Sequence, residues 1–248
     1  MKPNLLLSEH LDSYPLVDSY HPMDTLELYL ANSAGNSAFE QQWPRGSVTY
    51  TTNRDHYRCP EWEQIQWADS ILVLGCSCTF GVGIDDADTV ASQLARRLSR
   101  PVINLGVAAA SWLVIWTNTV RLIQAGIKPP HVVYIWPETS RYARLLPGGL
   151  VRHYGPWNID LKGNQLGREY ALAGDHAALV AQDQLASVRA LWTCPQLHYS
   201  WSRAISPDWT VTPLADFVDH ARDLVHPGPA TVGLWVDRIA DDLASLGS

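Results

Sequence analysis

Blocks of like charge are missing from this sequence of 248 residues. Its 25 acidic and 18 basic side chains are scattered along the chain, and the formal charge of −7 arises without a basic face or an acidic tail. Proteins that bind nucleic acid usually concentrate lysine and arginine on one surface. We therefore do not expect nucleic acid to be a partner.

Long apolar runs are also missing. Near the start of the chain the only apolar patch is 5–7, which Ser8 interrupts. This patch is too short for the core of a signal peptide and far too short to span a bilayer. The sequence therefore predicts a cytoplasmic protein without a membrane partner.

Cysteine is scarce, with four residues in the whole chain: Cys59, Cys76, Cys78 and Cys194. Cys76 and Cys78 are separated by one residue, a spacing poorly suited to a mutual disulfide, and free thiols are expected. A structural zinc site would normally show two cysteines with two to four residues between them and a second such pair, neither of which exists here. We expect neither a metal nor another cofactor.

Hydrophobic residues are abundant, at 46%, which is ample for a large core. Residues 1–68 show no sustained helical or alternating period, and we interpret them as a wrapping segment or lid, with a β-prone stretch at 48–52. Residues 69–248 are expected to form the main domain. Within this domain, residues 141–173 are rich in glycine and aromatic residues and are typical of a loop excursion over a site.

From residue 71 onward, apolar strands alternate with helical patterns. The strands are expected at 71–74, 102–105, 131–136 and 196–201, and the helices at 89–98, 111–124, 175–192 and 230–246. This alternation predicts an α/β fold, a three-layer α/β/α sandwich with a mainly parallel five-stranded sheet. We expect the flavodoxin-like strand order 2-1-3-4-5, with the site at the carboxyl edge.

Two short motifs carry the chemistry. The first is Gly75-Cys76-Ser77, which follows an apolar strand and places a hydroxyl at the carboxyl edge of the sheet. The second is Asp223-Leu224-Val225-His226, near the end of the chain. A serine hydroxyl becomes a nucleophile when a neutral imidazole accepts its proton and a carboxylate orients that imidazole. The sequence thus predicts Ser77 as nucleophile, His226 as base and Asp223 as the orienting acid.

These motifs resemble those of the SGNH or GDSL-type hydrolases, a resemblance that covers roughly residues 69–248. The first block of that family, Gly-Asp-Ser-x-Thr-x-Gly, stands here as 75–81 with Cys76 in place of aspartate. The second, Asn-x-Gly, is matched by 104–106, although Ala109 stands where a further glycine often follows. The Asp-x-x-His block is complete. The Gly-x-Asn-Asp block is not matched, since 136–139 reads Trp-Pro-Glu-Thr.

The resemblance implies an oxyanion hole that is built from backbone N–H groups and an asparagine side chain. The backbone N–H groups of Ser77 and Gly106 are the expected donors. Because the family's asparagine is absent, Asn104 or Arg141 could replace it, and we favour Arg141. Glu138 either faces the oxyanion or pairs with Arg141. Trp136 is a candidate for lining the substrate pocket.

Several alternatives to these assignments stay open. His220 is the only plausible rival base, and the serine could be no more than a turn residue. The favoured function is a serine esterase or acyl hydrolase acting on a small-molecule ester, such as an acyl group on a carbohydrate. An acyltransferase with the same triad, or a binding protein on a degenerate hydrolase fold, would fit the same motifs. The sequence leaves the oligomeric state open.

Overall fold

The structure is a computed structural model that describes residues 2–8, 20–158, 165, 169, 174–203, 205 and 207–246. The rest of the predicted wrapping segment and of the predicted excursion lies outside the described residues. The strands of the described part are β1 (Leu7–Ser8), β2 (Ile71–Gly75), β3 (Val102–Gly106), β4 (Val132–Trp136), β5 (Tyr142–Leu145), β6 (Leu150–Tyr154), β7 (Gln196–Ser200) and β8 (Thr212–Pro213).

A five-stranded sheet in the order β3-β2-β4-β7-β8 forms the centre of the fold, and every pair of neighbouring strands is parallel. Numbered along the chain within this sheet, the order is 2-1-3-4-5, as predicted. β2 and β4 are buried along their whole length, because helices cover both faces of a parallel sheet. The predicted fold class is confirmed.

The helices of the described part are α1 (Leu26–Ser33), α2 (Ser37–Gln42), α3 (Ser77–Phe80), α4 (Val90–Leu98), α5 (Trp112–Gln124), α6 (Gly174–Leu191) and α7 (Pro229–Leu246). α4 packs against α7, and α5 packs against α6, which gives the helical layers of the sandwich. Thr89 caps α4 by accepting a hydrogen bond from the Ser92 amide at 3.2 Å. In the described part, none of these helices is both long enough and apolar enough to cross a bilayer.

Two local expectations were wrong. The β-prone stretch 48–52 forms no strand, because the amides of Thr49 and Thr51 donate to the side-chain carboxylates of Asp85 and Asp86 and not to the backbone of a neighbouring strand. The predicted excursion at 141–173 is not purely a loop, since β5 and β6 form an antiparallel pair within it. β1 then adds to β6 in parallel and completes a second, three-stranded sheet.

The hydrophobic core is continuous from the first described residues to the last helix. Leu6, Tyr57 and Trp62 of the N-terminal segment belong to the same buried cluster as the residues of the central sheet. Polar contacts reinforce this attachment, since the Leu6 amide donates to Asn118 of α5 at 2.7 Å. The N-terminal segment therefore shares one core with the sheet that carries the candidate site.

Candidate active site

Ser77 lies at the carboxyl edge of the central sheet, where β2 ends and α3 begins. Gly75 makes this sharp turn feasible, because a Cβ at that position would lie 2.0 Å from Oγ1 of Thr79 and 2.7 Å from the carbonyl oxygen of Ile135. Steric crowding alone therefore requires glycine at this position of the motif. It lets the chain fold back so that the next residues start a helix beside the strand.

Asp223 and His226 lie in a tight turn just before α7. Oδ1 of Asp223 accepts hydrogen bonds from the amides of Val225 and His226, each at 3.0 Å. Leu224 adopts φ +60° between them, a left-handed conformation that closes the turn. The three-residue spacing of the motif therefore sets the local geometry, which turns the imidazole back towards the carboxylate.

Ser77, His226 and Asp223 form one hydrogen-bonded chain. Nε2 of His226 lies 2.8 Å from Oγ of Ser77, across 149 residues of sequence. Nδ1 of the same ring contacts Oδ2 of Asp223. All three side chains are buried, and Ser77 is only 1% exposed. Burial opposes ionisation of Asp223, but hydrogen bonds and the charge of His226 outweigh it and lower the pKa of this carboxyl.

Asn104 and Gly106 do not offer free donors to an oxyanion. The Gly106 amide donates to Oδ1 of Asn104 at 3.0 Å, and Nδ2 of Asn104 donates to the carbonyl oxygen of Thr79 at 2.9 Å. A Cβ on Gly106 would lie 2.3 Å from the amide nitrogen of Phe80. Both residues therefore fix the contact between β3 and α3, which corrects the roles that the sequence predicts for them.

The backbone amides of Ser77 and Ala109 remain available as hydrogen-bond donors. Within the described residues, no hydrogen bond uses the amide of Ser77 or that of Ala109. Ala109 adopts φ +62°, the conformation that glycine favours, at the position where the resembling family often has glycine. The Val107 amide donates to the carbonyl oxygen of Gly75 at 3.0 Å, so the loop that contains Ala109 starts level with the turn that carries Ser77. The sequence signal that could have identified Ala109 is its position, where the resembling family often has glycine.

Glu138 and Arg141 pair with each other after β4. Nε of Arg141 lies 2.8 Å from Oε1 of Glu138, and the arginine side chain is 7% exposed. The guanidinium also lies 5.0 Å from the ring of Trp157 and 5.5 Å from that of Trp201. Two arrangements were predicted for Glu138, facing the oxyanion or pairing with Arg141. The structure shows the pair with Arg141.

Cys76 and Cys78 flank Ser77 and are buried, and all four cysteines of the chain are free thiols, as predicted. Burial opposes ionisation of Cys76, but a hydrogen bond from Cys78 and the positive charge of Arg141 outweigh it and lower the pKa of the Cys76 thiol to about 5. The same hydrogen bond, together with burial, raises the pKa of Cys78 well above its usual value. Burial opposes the charge of Arg141, but the neighbouring Cys76 and Glu138 outweigh it and raise the pKa of this guanidinium.

Trp136 and His220 lie apart from the hydrogen-bonded chain. Trp136 is fully buried, stacked on Trp112 with ring centroids 4.2 Å apart, so it is a core residue and does not line a pocket. This corrects its predicted role. His220 is exposed, and its ring packs against Phe217. The structure thus places His226, and not the rival histidine, against Ser77.

No protein-family model and no curated protein matches this sequence. Solved structures similar to it include an acetyl xylan esterase from the rumen bacterium Butyrivibrio proteoclasticus, with 14% identity, a TM-score of 0.43 and coverage of 72% of this chain and 64% of that chain. This chain thus spans less than two thirds of the length of that esterase. A family two carbohydrate esterase from Clostridium thermocellum, in complex with cellohexaose, has 12% identity and a TM-score of 0.44 over 72% of this chain and 65% of that chain.

A carbohydrate acetylesterase family member from Sinorhizobium meliloti is similar over 72% of this chain and 98% of that chain, with 11% identity and a TM-score of 0.44. At identities and TM-scores this low, we interpret the candidate site from its own geometry. The serine follows the first strand of the central sheet and the histidine precedes the last helix, which is the placement of the two motifs in the sequence that resembles the SGNH-type hydrolases.

Proposed function

We propose that this protein is a serine esterase that hydrolyses a small ester through Ser77, His226 and Asp223. One observation carries the proposal: Nε2 of His226 lies 2.8 Å from Oγ of Ser77 while Nδ1 of the same ring contacts Asp223. This is the geometry in which an imidazole can accept the serine proton and remain oriented by a carboxylate.

The residues support a two-step acyl transfer. Oγ of Ser77 attacks the ester carbonyl carbon as Nε2 of His226 takes its proton, and the resulting imidazolium returns that proton to the departing alcohol. Water then attacks the acyl-serine by the same route, which releases the carboxylic acid and restores Ser77. Asp223, whose pKa is lowered, stays ionised and stabilises the imidazolium.

The oxyanion of both tetrahedral intermediates needs hydrogen-bond donors. We assign this role to the backbone N–H groups of Ser77 and Ala109, which no hydrogen bond of the described residues uses. Backbone donors held in fixed turns stabilise developing negative charge without having to reorganise during the reaction. Arg141 is directed to Glu138 instead, and we do not assign it to the oxyanion.

The burial of Ser77 supports a small acyl group. With 1% of Ser77 exposed, a short acyl group such as acetyl reaches Oγ more easily than a long chain. Trp157 is 47% exposed beside Arg141, and its ring offers an apolar surface on which a sugar could stack. An acyl group on a carbohydrate is therefore the substrate class that we propose.

Ser77→Ala and His226→Ala are each expected to abolish turnover of 4-nitrophenyl acetate. Removing a single member of such a triad costs on the order of 10⁴–10⁶ in kcat. Thermal unfolding monitored by circular dichroism should stay close to that of the wild type. The control is Ser202→Ala, which removes another serine hydroxyl of the described part and should leave turnover unchanged.

Three results would redirect this assignment. Full activity in Ser77→Ala would remove the serine mechanism. A wild-type protein that turns over no short ester on a panel of acetyl and propionyl substrates would favour the binding-protein alternative. Preferential transfer of the acyl group to an added alcohol, with little hydrolysis, would make the protein an acyltransferase with the same triad.

A further inference from the structure

Arg58 of the N-terminal segment holds the turn that follows the nucleophile. Its guanidinium donates to the carbonyl oxygens of Phe80 at 3.3 Å, Gly81 at 2.6 Å and Ile84 at 2.9 Å. Arg58 is 6% exposed, so these bonds form away from competing water. A side chain outside the central domain thus fixes the backbone that leaves α3, the helix that Ser77 begins.

Asp24, also in the N-terminal segment, holds the turn that carries the histidine. Arg222 directly precedes Asp223, and its Nε and Nη2 donate to the two carboxylate oxygens of Asp24 at 3.2 and 2.6 Å. Both side chains of this ion pair are fully buried. In addition, Asn32 donates to the carbonyl oxygen of Arg222 at 3.2 Å. The backbone beside Asp223 is therefore attached to the N-terminal segment through a buried charge pair.

Tyr50 connects these two attachments. Its hydroxyl donates to Oδ2 of Asp24 at 2.6 Å and accepts a hydrogen bond from the Gly83 amide at 2.7 Å. The carbonyl oxygen of Gly83 in turn accepts a hydrogen bond from the Arg222 amide at 3.0 Å. The loop 81–84 that follows Ser77 and α3, here called the nucleophile loop, therefore meets the loop 220–227 that carries Asp223 and His226, here called the histidine loop. The guanidinium of Arg58 lies 4.6 Å from the Tyr50 ring. Burial and the neighbouring Asp24 raise the pKa of Tyr50 well above its usual value, which keeps the hydroxyl protonated as a donor.

We propose that Tyr50, Asp24 and Arg58 are positioning residues that hold the nucleophile loop and the histidine loop in the register that the bond between Ser77 and His226 requires. The inference rests on the proposed function, because these three residues do not touch the reacting atoms and can act only by positioning Ser77 and His226. The two loops are separated by most of the chain. A displacement of about 1 Å between reacting groups is enough to lower a rate on the order of 100-fold.

Tyr50→Phe tests this inference because it removes one hydroxyl and keeps the ring. The expected result is a kcat for 4-nitrophenyl acetate lowered on the order of tenfold, with KM unchanged. The rate at which a fluorophosphonate modifies Ser77 should fall by the same factor, since it depends on activation of the hydroxyl. The proton on Nδ1 of His226 provides an independent signal by NMR, because its far-downfield resonance should shift or broaden as the loop moves.

Arg54→Ala is the matched control. Arg54 belongs to the same segment, and in the described part of the chain its exposed side chain forms ion pairs with Glu61 and Glu63, away from both loops. This variant should keep the wild-type kcat, labelling rate and NMR signal. A purely structural role of Tyr50 would lower thermal stability while leaving kcat and labelling of the folded protein unchanged, and that result in Tyr50→Phe would overturn the inference.

Two further outcomes stay interpretable. If Tyr50→Phe does not fold, Arg58→Lys keeps the positive charge beside Asp86 but cannot make the hydrogen bonds to Phe80, Gly81 and Ile84 together. An unchanged kcat and labelling rate in this variant would overturn the inference. If the wild-type protein reacts with neither the ester nor the fluorophosphonate, the proposed function fails. The His226 NMR signal in Tyr50→Phe still decides whether the N-terminal segment holds the histidine loop.

Discussion

His198 of β7 is a buried imidazole that the folded protein keeps neutral. Its Nδ1 accepts a hydrogen bond from Nε1 of Trp136 at 3.2 Å, which requires that this nitrogen carry no proton. The side chain is 8% exposed. Burial, helped by the positive charge of Arg189, lowers the pKa of His198 to about 3. Protonation is therefore coupled to unfolding.

The sign of this coupling predicts an acid-sensitive fold. Between about pH 6.5 and pH 3 the unfolded chain binds a proton at His198 that the folded chain does not, so His198 alone should contribute a fall in the free energy of unfolding of about 1.4 kcal/mol per pH unit as the pH is lowered. His198→Gln should reduce this slope in urea titrations between pH 7 and pH 4. His176→Gln, which removes an exposed imidazole, should keep the wild-type slope. Equal slopes in His198→Gln and the wild type would contradict the assignment.

The Glu138–Arg141 pair leads to a second prediction for single residues. Arg141→Ala leaves a mostly buried carboxylate without its partner and should lower the free energy of unfolding on the order of 3 kcal/mol. Glu138→Asn should also destabilise the fold, and it should not raise turnover, because Glu138 faces Arg141. The double variant should lose less stability than the sum of the two single losses.

Urea denaturation and steady-state kinetics of the three variants measure both effects. Glu138→Asn with faster turnover would mean that the carboxylate opposes the oxyanion. A large loss of turnover in Glu138→Asn with the fold intact would instead give Glu138 a direct catalytic role.

Four of the five strands of the central sheet and the four long helices of the central domain could be predicted from the sequence to within one or two residues, whereas the short β8 and α3 could not. Uninterrupted apolar runs identify β2 and β4 because a parallel sheet is covered on both faces. The last helix, predicted at 230–246, is observed at Pro229–Leu246, since its apolar residues repeat at helical spacing. Such patterns are local, and they predict the folded structure well because the tertiary packing favours the same helix or strand as the local sequence does.

The second sheet could not be predicted in the same way. A strand needs a partner as well as β-prone residues, and the partner of β6 includes a two-residue strand at the far end of the chain. The stretch 48–52 is the opposite case, because it is β-prone without being a strand. Its Tyr50 instead uses its side-chain hydroxyl to contact Asp24 and Gly83.

The same distinction between local and long-range signals applies to the candidate site. Ser77, Asp223 and His226 could be found because each belongs to a short motif whose spacing sets a local turn. The residues that hold those turns could not, since Asp24 and Arg222 lie 198 positions apart and neither has a sequence pattern of its own. The prediction that Trp136 lines a pocket is wrong, because the sequence around an aromatic residue at the end of a strand does not indicate whether its side chain faces the core or a pocket.

At the scale of the whole molecule, the N-terminal segment and the central domain share their core. Trp62 is fully buried, contacts Tyr57 at 5.4 Å between ring centroids and belongs to the same apolar cluster as the central sheet. A shared core implies that the segment cannot detach without exposing apolar surface of the domain. We therefore expect the described chain to unfold as one cooperative unit.

Trp62→Ala tests this expectation and should lower the free energy of unfolding by about 3–5 kcal/mol, the usual cost of truncating a fully buried aromatic residue. Far-UV circular dichroism, which reports mainly on the helices of the central domain, should show the loss at the same urea concentration as tryptophan fluorescence, because the segment and the domain unfold together. Trp157→Ala is the control, since that side chain is 47% exposed and its truncation should cost much less. A variant that loses fluorescence in a separate early transition, with the circular dichroism midpoint of the wild type, would show that the segment unfolds independently. In that case the loops that carry Ser77 and His226 would have to be held together by the central domain alone.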